Sequence, residues 1–441
     1  MKKSIILVFA VLFSLTAIGQ DKKWTLRECV QYALDNNITI KQRLLDLDQA
    51  AIDKSDAVGN FLPTLNANAG VSERTGLSFN PLTNDASTET FLSANGGVNV
   101  GYNVFDGLRN IRQLQRAKLS RIAAEYNIAR IKDDISLFVA NGFLDIILNK
   151  ENLRTIEAQH QVTLKQIEQT KELVDGGVLP RGDLLEIEAT AANERQRIVA
   201  AKNAVILSRV SLAQLLAIEN YQEFDIAERS YSILGAQVID QPVEVIIESA
   251  KDNRYEIKIA EQNLELAKKD VQIAKGALLP TIRAFFGYNT TYADVNPLPF
   301  EEQIYINDGV NYGLSLNVPI LNGFSAKNNV KRNELNAIRN ENLVAQAKLD
   351  LESTIYQAYT GAIAARESYE AALAAVNSQE LAYAYAKDRY DVGLTNAFDF
   401  SQSKLRYDNA QIELSRSKYD YIFRIKVLEL YFGIPATDLK F

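Results

Sequence analysis

The chain has 441 residues, with 48 Lys and Arg against 55 Asp and Glu, a formal net charge of −7, and one Cys, one His, one Trp and one Met. That mild acidity supplies no basic surface for nucleic acid and no polybasic patch for anionic lipid, and a single thiol, Cys29, excludes an internal disulfide. Length alone allows two or three ordinary domains.

Residues 1–19 read as a secretory signal peptide. Lys2 and Lys3 precede an apolar run from Ile5 to Phe13, and Ala17-Ile18-Gly19 offers small residues at the cleavage spacing, with the cut before Gln20. The apolar run is too short to span a bilayer as a helix. Cys29 falls about ten residues past the cut and inside a helical pattern, which speaks against a lipid-anchored N-terminus. No later stretch approaches about 18 consecutive apolar residues, so no transmembrane helix is expected.

The chain then repeats itself. "GNFLPTL" at 59–65 returns as "GALLPTI" at 276–282, and at the same spacing Ala33 pairs with Ala250, Asp35 with Asp252, Ile40 with Ile257 and Leu47 with Leu264. Further on the spacing is one residue shorter, matching Gly107 to Gly323, Asp175 to Asp391, Gly177 to Gly393, Asp183 to Asp399 and Leu212 to Leu428. The reading is a duplication, 20–218 and 244–435, separated by a mixed polar insertion at 219–243 on the flank of the helices and followed by a short tail at 436–441. Solenoid units are much shorter.

Each repeat opens with a helix. In "TLRECVQYALDNN", Leu26, Cys29, Val30 and Ala33 fall at spacings of three and four behind Thr25 as N-cap, with Cys29 a small packed apolar residue. Gly59 can end the helix that follows, and Pro63 can begin a strand. Strands are expected at about 64–76, 92–105, 281–293 and 309–320. In 92–104, Leu92, Ala94, Val98, Val100, Tyr102 and Val104 alternate with Ser93, Asn95, Gly97, Asn99, Gly101 and Asn103. Globular strands average about five or six residues. A run of about fourteen reaches about 46 Å and, tilted, rises about 33 Å, enough for the apolar band of an outer membrane. The Asn, Ser and Gly face suits a wet lumen. Phe79, Phe91, Phe105, Tyr292 and Tyr305 sit near strand ends, where interfacial girdles lie.

Four strands cannot close a barrel, and open edges cannot exist in lipid. Several chains must pool their strands, and three protomers would supply twelve. The rest of each repeat is helical. No proline occurs between 82 and 179, and a helix from 111 to 174 would measure about 96 Å, which calls for coiled-coil packing. "VDGGVLPRGD" (174–183) breaks it before a second helix at 184–217, and "YDVGLTNAFD" (390–399) is the matching break. The fold class is therefore an α+β membrane protein, a long α-helical coiled-coil barrel with four transmembrane β-strands per protomer.

Residues 24–435 resemble the TolC-type outer membrane efflux proteins. The resemblance is carried by the openings "ALDNN" and "AKDNR", the paired G-x-x-L-P-T turns, the "FDG" and "LNG" junctions at 105–107 and 321–323, and the "YDVGL" tip, in the same order twice. It implies a homotrimer with one twelve-stranded barrel in the outer membrane and a helical tunnel in the periplasm. The implied partners are a periplasmic adaptor, an inner-membrane pump of the RND or ABC type, and outer-membrane lipid. It places the gate at the hairpin tips. Asp399 falls on an acidic ring position. Gln402 stands uncharged at a second one. Tyr390 matches the aromatic that ties the inner hairpin to a neighbour, and Asp183 and Glu186 are the first-repeat counterparts. Thr395 stands where some members are basic. The adaptor-docking tips are Gly176, Gly177, Val178 and Leu179 with Gly393, Leu394 and Thr395. Asp183 also reads as a helix N-cap.

No nucleotide loop, metal cluster or nucleophile with a base is visible, so no catalytic residue, metal or cofactor is expected. His160 reads as a packed or solvated helix residue. The expected function is a passive exit duct. A type I protein-secretion duct and a secreted coiled-coil scaffold are the alternatives, and an autonomous barrel enzyme lacks the strands it would need.

Overall fold

The computed structural model describes residues 23–80, 85–228, 233–234, 236–294 and 296–434. The expected signal peptide at 1–19 and the tail at 436–441 lie outside them, as does the side chain of Phe79. In chain order the elements are β1 (Lys23–Trp24), α1 (Leu26–Asn36), α2 (Ile38–Gly59), β2 (Thr64–Asn80), β3 (Asp85–Phe105), α3 (Arg109–Asp175), α4 (Arg181–Leu216), β4 (Asp225–Ile226), a 3-10 turn (Ala236–Val238), α5 (Val243–Asn253), α6 (Tyr255–Gly276), β5 (Thr281–Ala293), α7 (Phe300–Ile306), β6 (Gly309–Asn317), α8 (Ser325–Asp391) and α9 (Ala397–Tyr431). Two compact units result, one of residues up to 44, 127–257 and 347 onward, the other of 45–126 and 258–346. The division falls within α2, α3, α6 and α8.

The first unit is helical. Thr25 caps α1 through a reciprocal box: its hydroxyl accepts from the Glu28 N–H at 3.3 Å while Glu28 Oε2 accepts from the Thr25 N–H at 2.9 Å. The helix buries Leu26, Cys29 and Ala33 against Val139, Phe143 and Ile146 of α3, Leu212 and Leu216 of α4 and Ile422 of α9. Asn37 separates α1 from α2. Its Oδ1 accepts from the N–H groups of Thr39 and Ile40, and its amide donates to Leu215 O at 2.8 Å. Arg254 holds the corresponding place between α5 and α6. It is buried, paired with Glu256 and Asp133, and lies over the Tyr431 ring. The two repeats thus fill one position with different chemistry.

Helix α4 ends on Ala217 in the left-handed region (φ 58°) and α9 on Gly433 (φ 103°) at the matching place. The insertion folds back here. β1 pairs parallel with β4, and Arg209 donates to the carbonyls of Phe224 and Gln222. Among the described residues, α4 alone has the length and composition to cross a bilayer, a composition that consecutive-run reading overlooked because Lys202 and Arg209 interrupt it. Of its apolar residues Ile187, Val205, Leu212 and Leu216 are buried within the unit, while Val199, Ile206 and Leu207 are more than half exposed.

The second unit carries a four-stranded antiparallel sheet of order β2-β3-β5-β6. The proline turns expected after each opening helix are present. Leu62 N–H bonds to Gly59 O and Leu279 N–H to Gly276 O, and β2 and β5 start just past Pro63 and Pro280. β2 and β3 are longer than expected, at 17 and 21 residues. β6 is shorter than the expected 309–320: its ladder ends at the pair of Asn317 with Thr281, the first residue of β5, so Val318 to Ile320 have no strand to join.

The pleat sorts most side chains by polarity, with Phe91 and Phe285 falling on the polar face and Glu73 on the apolar one. Leu65, Val71, Val98, Val100, Phe286, Tyr288, Tyr312, Leu314 and Leu316 share one face by register, while Asn66, Asn68, Asn95, Asn99, Asn289, Asn311 and Ser315 share the other. On the polar face Asn99 donates to Asn68 Oδ1 at 3.0 Å, and Ser72 and Ser93 hydroxyls meet at 2.9 Å. The apolar face is bare: Leu65 is 70 %, Val71 73 % and Tyr312 78 % exposed.

Candidate functional site: the hairpin tips

Both helical hairpins turn by the same device. At the end of α3, Val178 N–H reaches back to Leu173 O (2.8 Å) and Gly177 N–H to Val174 O (3.0 Å). At the end of α8, Leu394 N–H reaches Arg389 O (2.8 Å) and Gly393 N–H reaches Tyr390 O (2.9 Å). This is the paired bonding of a Schellman cap, with Gly177 (φ 74°) and Gly393 (φ 73°) in the left-handed region that glycine takes at no steric cost.

The restarts differ. α9 is capped by Asn396, whose Oδ1 accepts from the Asp399 N–H at 2.8 Å. α4 follows Pro180, which offers no side-chain cap. Asp183 is therefore not the N-cap that its sequence position suggested. It sits three residues further in, in the first turn, where its charge still faces the positive end of the helix. Proline's fixed φ starts α4 without needing a side-chain acceptor.

Five of the seven expected docking residues are exposed. Gly176, Gly177 and Val178 are exposed, as are Gly393 and Leu394, with Val178 at 67 % and Leu394 at 70 %. Leu179 turns inward against a small core of Ile187, Tyr390, Ala397 and Phe400. Of the expected gate residues, Asp399, Gln402 and Glu186 are exposed and Asp183 half-buried. The Thr395 hydroxyl donates to Asp399 Oδ2 at 3.4 Å. Tyr390 is only 1 % exposed, stacked on Phe400 with centroids 5.0 Å apart, and its hydroxyl meets Thr170 Oγ1 at 3.0 Å. Within one chain, then, Tyr390 ties α8 to α3, and its hydroxyl is already engaged. Burial pushes its phenol up, the Thr170 bond opposes this, and Asp183 and Asp391 add to the rise.

About two turns from the α9 restart lies a cluster that the sequence did not announce. Lys404 Nζ sits 2.7 Å from Glu194 Oε1 and 3.0 Å from Asp408 Oδ2. Thr163 donates to Glu194 Oε1 at 2.8 Å, and His160 Nδ1 lies 3.2 Å from Glu194 Oε2. All five side chains are buried. His160 is thus packed, but among charges. Burial pushes the Asp408 carboxyl up, more than Lys404 beside it pulls it down. Two carboxylates, Glu194 of α4 and Asp408 of α9, share the Lys404 ammonium, and α3 adds Thr163 and His160. Lys404 and Asp408 alone read as an ordinary surface pair at i, i+4; the third helix is what turns them into a buried lock.

Among the described residues no group of three or more His, Cys, Asp or Glu is gathered to hold a metal.

Comparison with known proteins places this geometry. A family model described as outer membrane efflux protein matches residues 29–217 and 246–432, once per repeat. The outer membrane protein TolC of Vibrio cholerae is 21 % identical over 416 residues, covering 92 % of this chain and 90 % of that protein. Among solved structures, the outer membrane protein VceC of Vibrio cholerae superposes with a TM-score of 0.77 at 17 % identity, covering 92 % of this chain and 96 % of that one. The Campylobacter jejuni CmeC outer membrane channel gives 0.73 at 18 % identity, covering 92 % and 85 %.

Proposed function

Because the chain belongs to the outer membrane efflux protein family, we propose that it is the outer-membrane exit duct of a tripartite efflux system and works as a homotrimer. The strands lie in the outer membrane and the helices in the periplasm. The observation that carries the trimer is the sheet. Its order leaves β2 and β6 with open edges, its apolar face is bare, and four strands cannot close. Three copies joined edge to edge give twelve strands, an apolar exterior toward lipid and a lumen lined by asparagine, serine and glycine.

Conduction is passive, and energy comes from partners. The exposed tips Gly176–Leu179 and Gly393–Thr395 dock a periplasmic adaptor, which couples the duct to an inner-membrane pump. Asp399 and its first-repeat counterpart Asp183 set the charge at the entrance together with Glu186, whose counterpart Gln402 is neutral. Docking splays the hairpins and widens the opening. The test is direct. Expressed protein should fractionate with the outer membrane, cross-link as a heat-resistant trimer, and form discrete channels in planar bilayers. A monomer in the soluble periplasmic fraction would overturn the reading.

A further inference from the structure

By register the polar face carries few charges: Arg74 of β2 and Glu89 of β3 lie far along the long hairpin, and Arg283 stands apart from them at the start of β5. By register Arg283 stands on that face between Asn103 and Ser315, and its near neighbours there, Gly101, Gly313, Thr281 and Asn317, are all uncharged. β5 is an inner strand of the order β2-β3-β5-β6, so Arg283 is not at an edge where copies would join.

Its guanidinium does not hang loose. It crosses β3 over Gly101, where a Cβ would stand 2.5 Å from Nη2 and 3.3 Å from Cζ, with Thr64 Oγ1 on the far side. The glycine opens a trough that lays the fork flat along the polar wall. Arg283 is exposed, and among the described residues no carboxylate pairs with it. A guanidinium is charged at every working pH and presents paired donors that match a carboxylate or phosphate.

We propose that Arg283 is an anion-contact position in the duct, the place where the wall favours small carboxylate- or phosphate-bearing solutes over cations. The inference rests on the reading that the polar face lines a shared lumen. In the trimer three guanidiniums stand at one level, where the neighbouring side chains of the wall, Asn103, Ser315, Thr281, Asn317 and the Phe285 ring, are all uncharged. Fixed charge at one level of a pore sets which ions dwell there. This preference is opposite in sign to that of the acidic tips.

The single cysteine, Cys29, is fully buried, so a cysteine introduced at Ser315 is the reactive thiol. Its rates of modification by an anionic and a cationic methanethiosulfonate are measured on the purified trimer, with and without Arg283→Gln. Arg283 should favour the anionic reagent, and Arg283→Gln should lower the anion-to-cation rate ratio by about fivefold, as one charge at neighbouring-strand distance acts oppositely on the two reagents. Arg283→Lys should restore most of the ratio and high salt should compress it. An unchanged ratio in Arg283→Gln, with both reagents still reacting, overturns the anion contact and leaves the duct standing. A Ser315→Cys thiol inert to both water-soluble reagents means that the face is not a wet lumen, and both readings fall together.

Discussion

Lys404 and Glu194 lie 210 positions apart in the chain and meet at 2.7 Å, each about 5 % exposed. The pair joins α9 to α4, and Thr163 and His160 bring in α3. Near the tips, where the proposed duct must open, the helices are therefore held by charge as well as by apolar packing. A buried ion pair roughly breaks even against well-packed apolar residues, but losing one partner leaves an uncompensated charge.

Lys404→Met should accordingly destabilise the protein by about 3–5 kcal/mol, because Glu194 and Asp408 remain buried without their counter-ion. Combining it with Glu194→Leu and Asp408→Asn should recover most of the loss. Denaturant unfolding of the detergent-solubilised trimer compares the two variants, and equal midpoints for both would mean that the cluster is hydrated.

Asp408 adds a pH dependence of known sign. Its carboxyl is raised above the ordinary 3.8 by burial, which Lys404 only partly opposes, with Glu194 raising it further and Arg197 lowering it. The folded state thus holds this proton more tightly than the unfolded chain. The stabilisation is complete below 3.8 and is lost as pH rises through the raised value. Stability of the wild type relative to Asp408→Asn should therefore fall between pH 4 and neutrality. A flat difference across that range would place Asp408 in water.

The sequence-level reading reached the elements whose rules are local. Alternation in 92–104 placed a strand, and glycine and proline spacing placed the turns and hairpin tips. Thr25 with Glu28 marked a cap. Glu194 escaped because nothing within its own helix distinguishes it from a solvated residue, and its partners come from two other helices. Asp183 was misplaced by one turn, since an acid near a helix start satisfies both the capping rule and the dipole rule and only the backbone separates them. Tyr390 carried a correct tip position, while its bond to Thr170 depends on a contact 220 residues away.

The repeated glycines differ in a way that the motif conceals. A Cβ on Gly276 would lie 2.4 Å from Arg109 Cγ and 2.7 Å from Gly107 O, whereas a Cβ on Gly59 meets nothing within 4 Å. Gly276→Ala should cost about 1–3 kcal/mol through overpacking. Gly59→Ala should change stability by less than about 1 kcal/mol. Thermal unfolding of the two variants decides it, and equal effects would remove the close approach as the reason for Gly276.

The tip glycines should behave as a matched pair. Gly177 and Gly393 share a φ near 74° with open space around them, so the cost of a side chain is conformational alone. Gly177→Ala and Gly393→Ala should each lose about 1–2 kcal/mol, and the Asn variants less. Unfolding midpoints in denaturant measure both, and a large difference between the two sites would point to a contact at one of them.

Asp399 offers the sharpest test of the entrance, because its side chain is not the cap of α9. Asn396 accepts from the Asp399 N–H, so Asp399→Ala keeps that bond and forfeits only the carboxylate and its weak bond from Thr395. The helix should lose no more than about 0.3–1 kcal/mol of dipole interaction. Around the proposed three-fold axis, removing three like charges would relieve repulsion and strip cations from the entrance. Single-channel conductance should rise and block by divalent cations should weaken, while Gln402→Ala, which removes no charge, should leave the block intact. If Asp399→Ala conducts and blocks as the wild type does, the acidic ring sits elsewhere, and Asp183 with Glu186 becomes the pair to neutralise next.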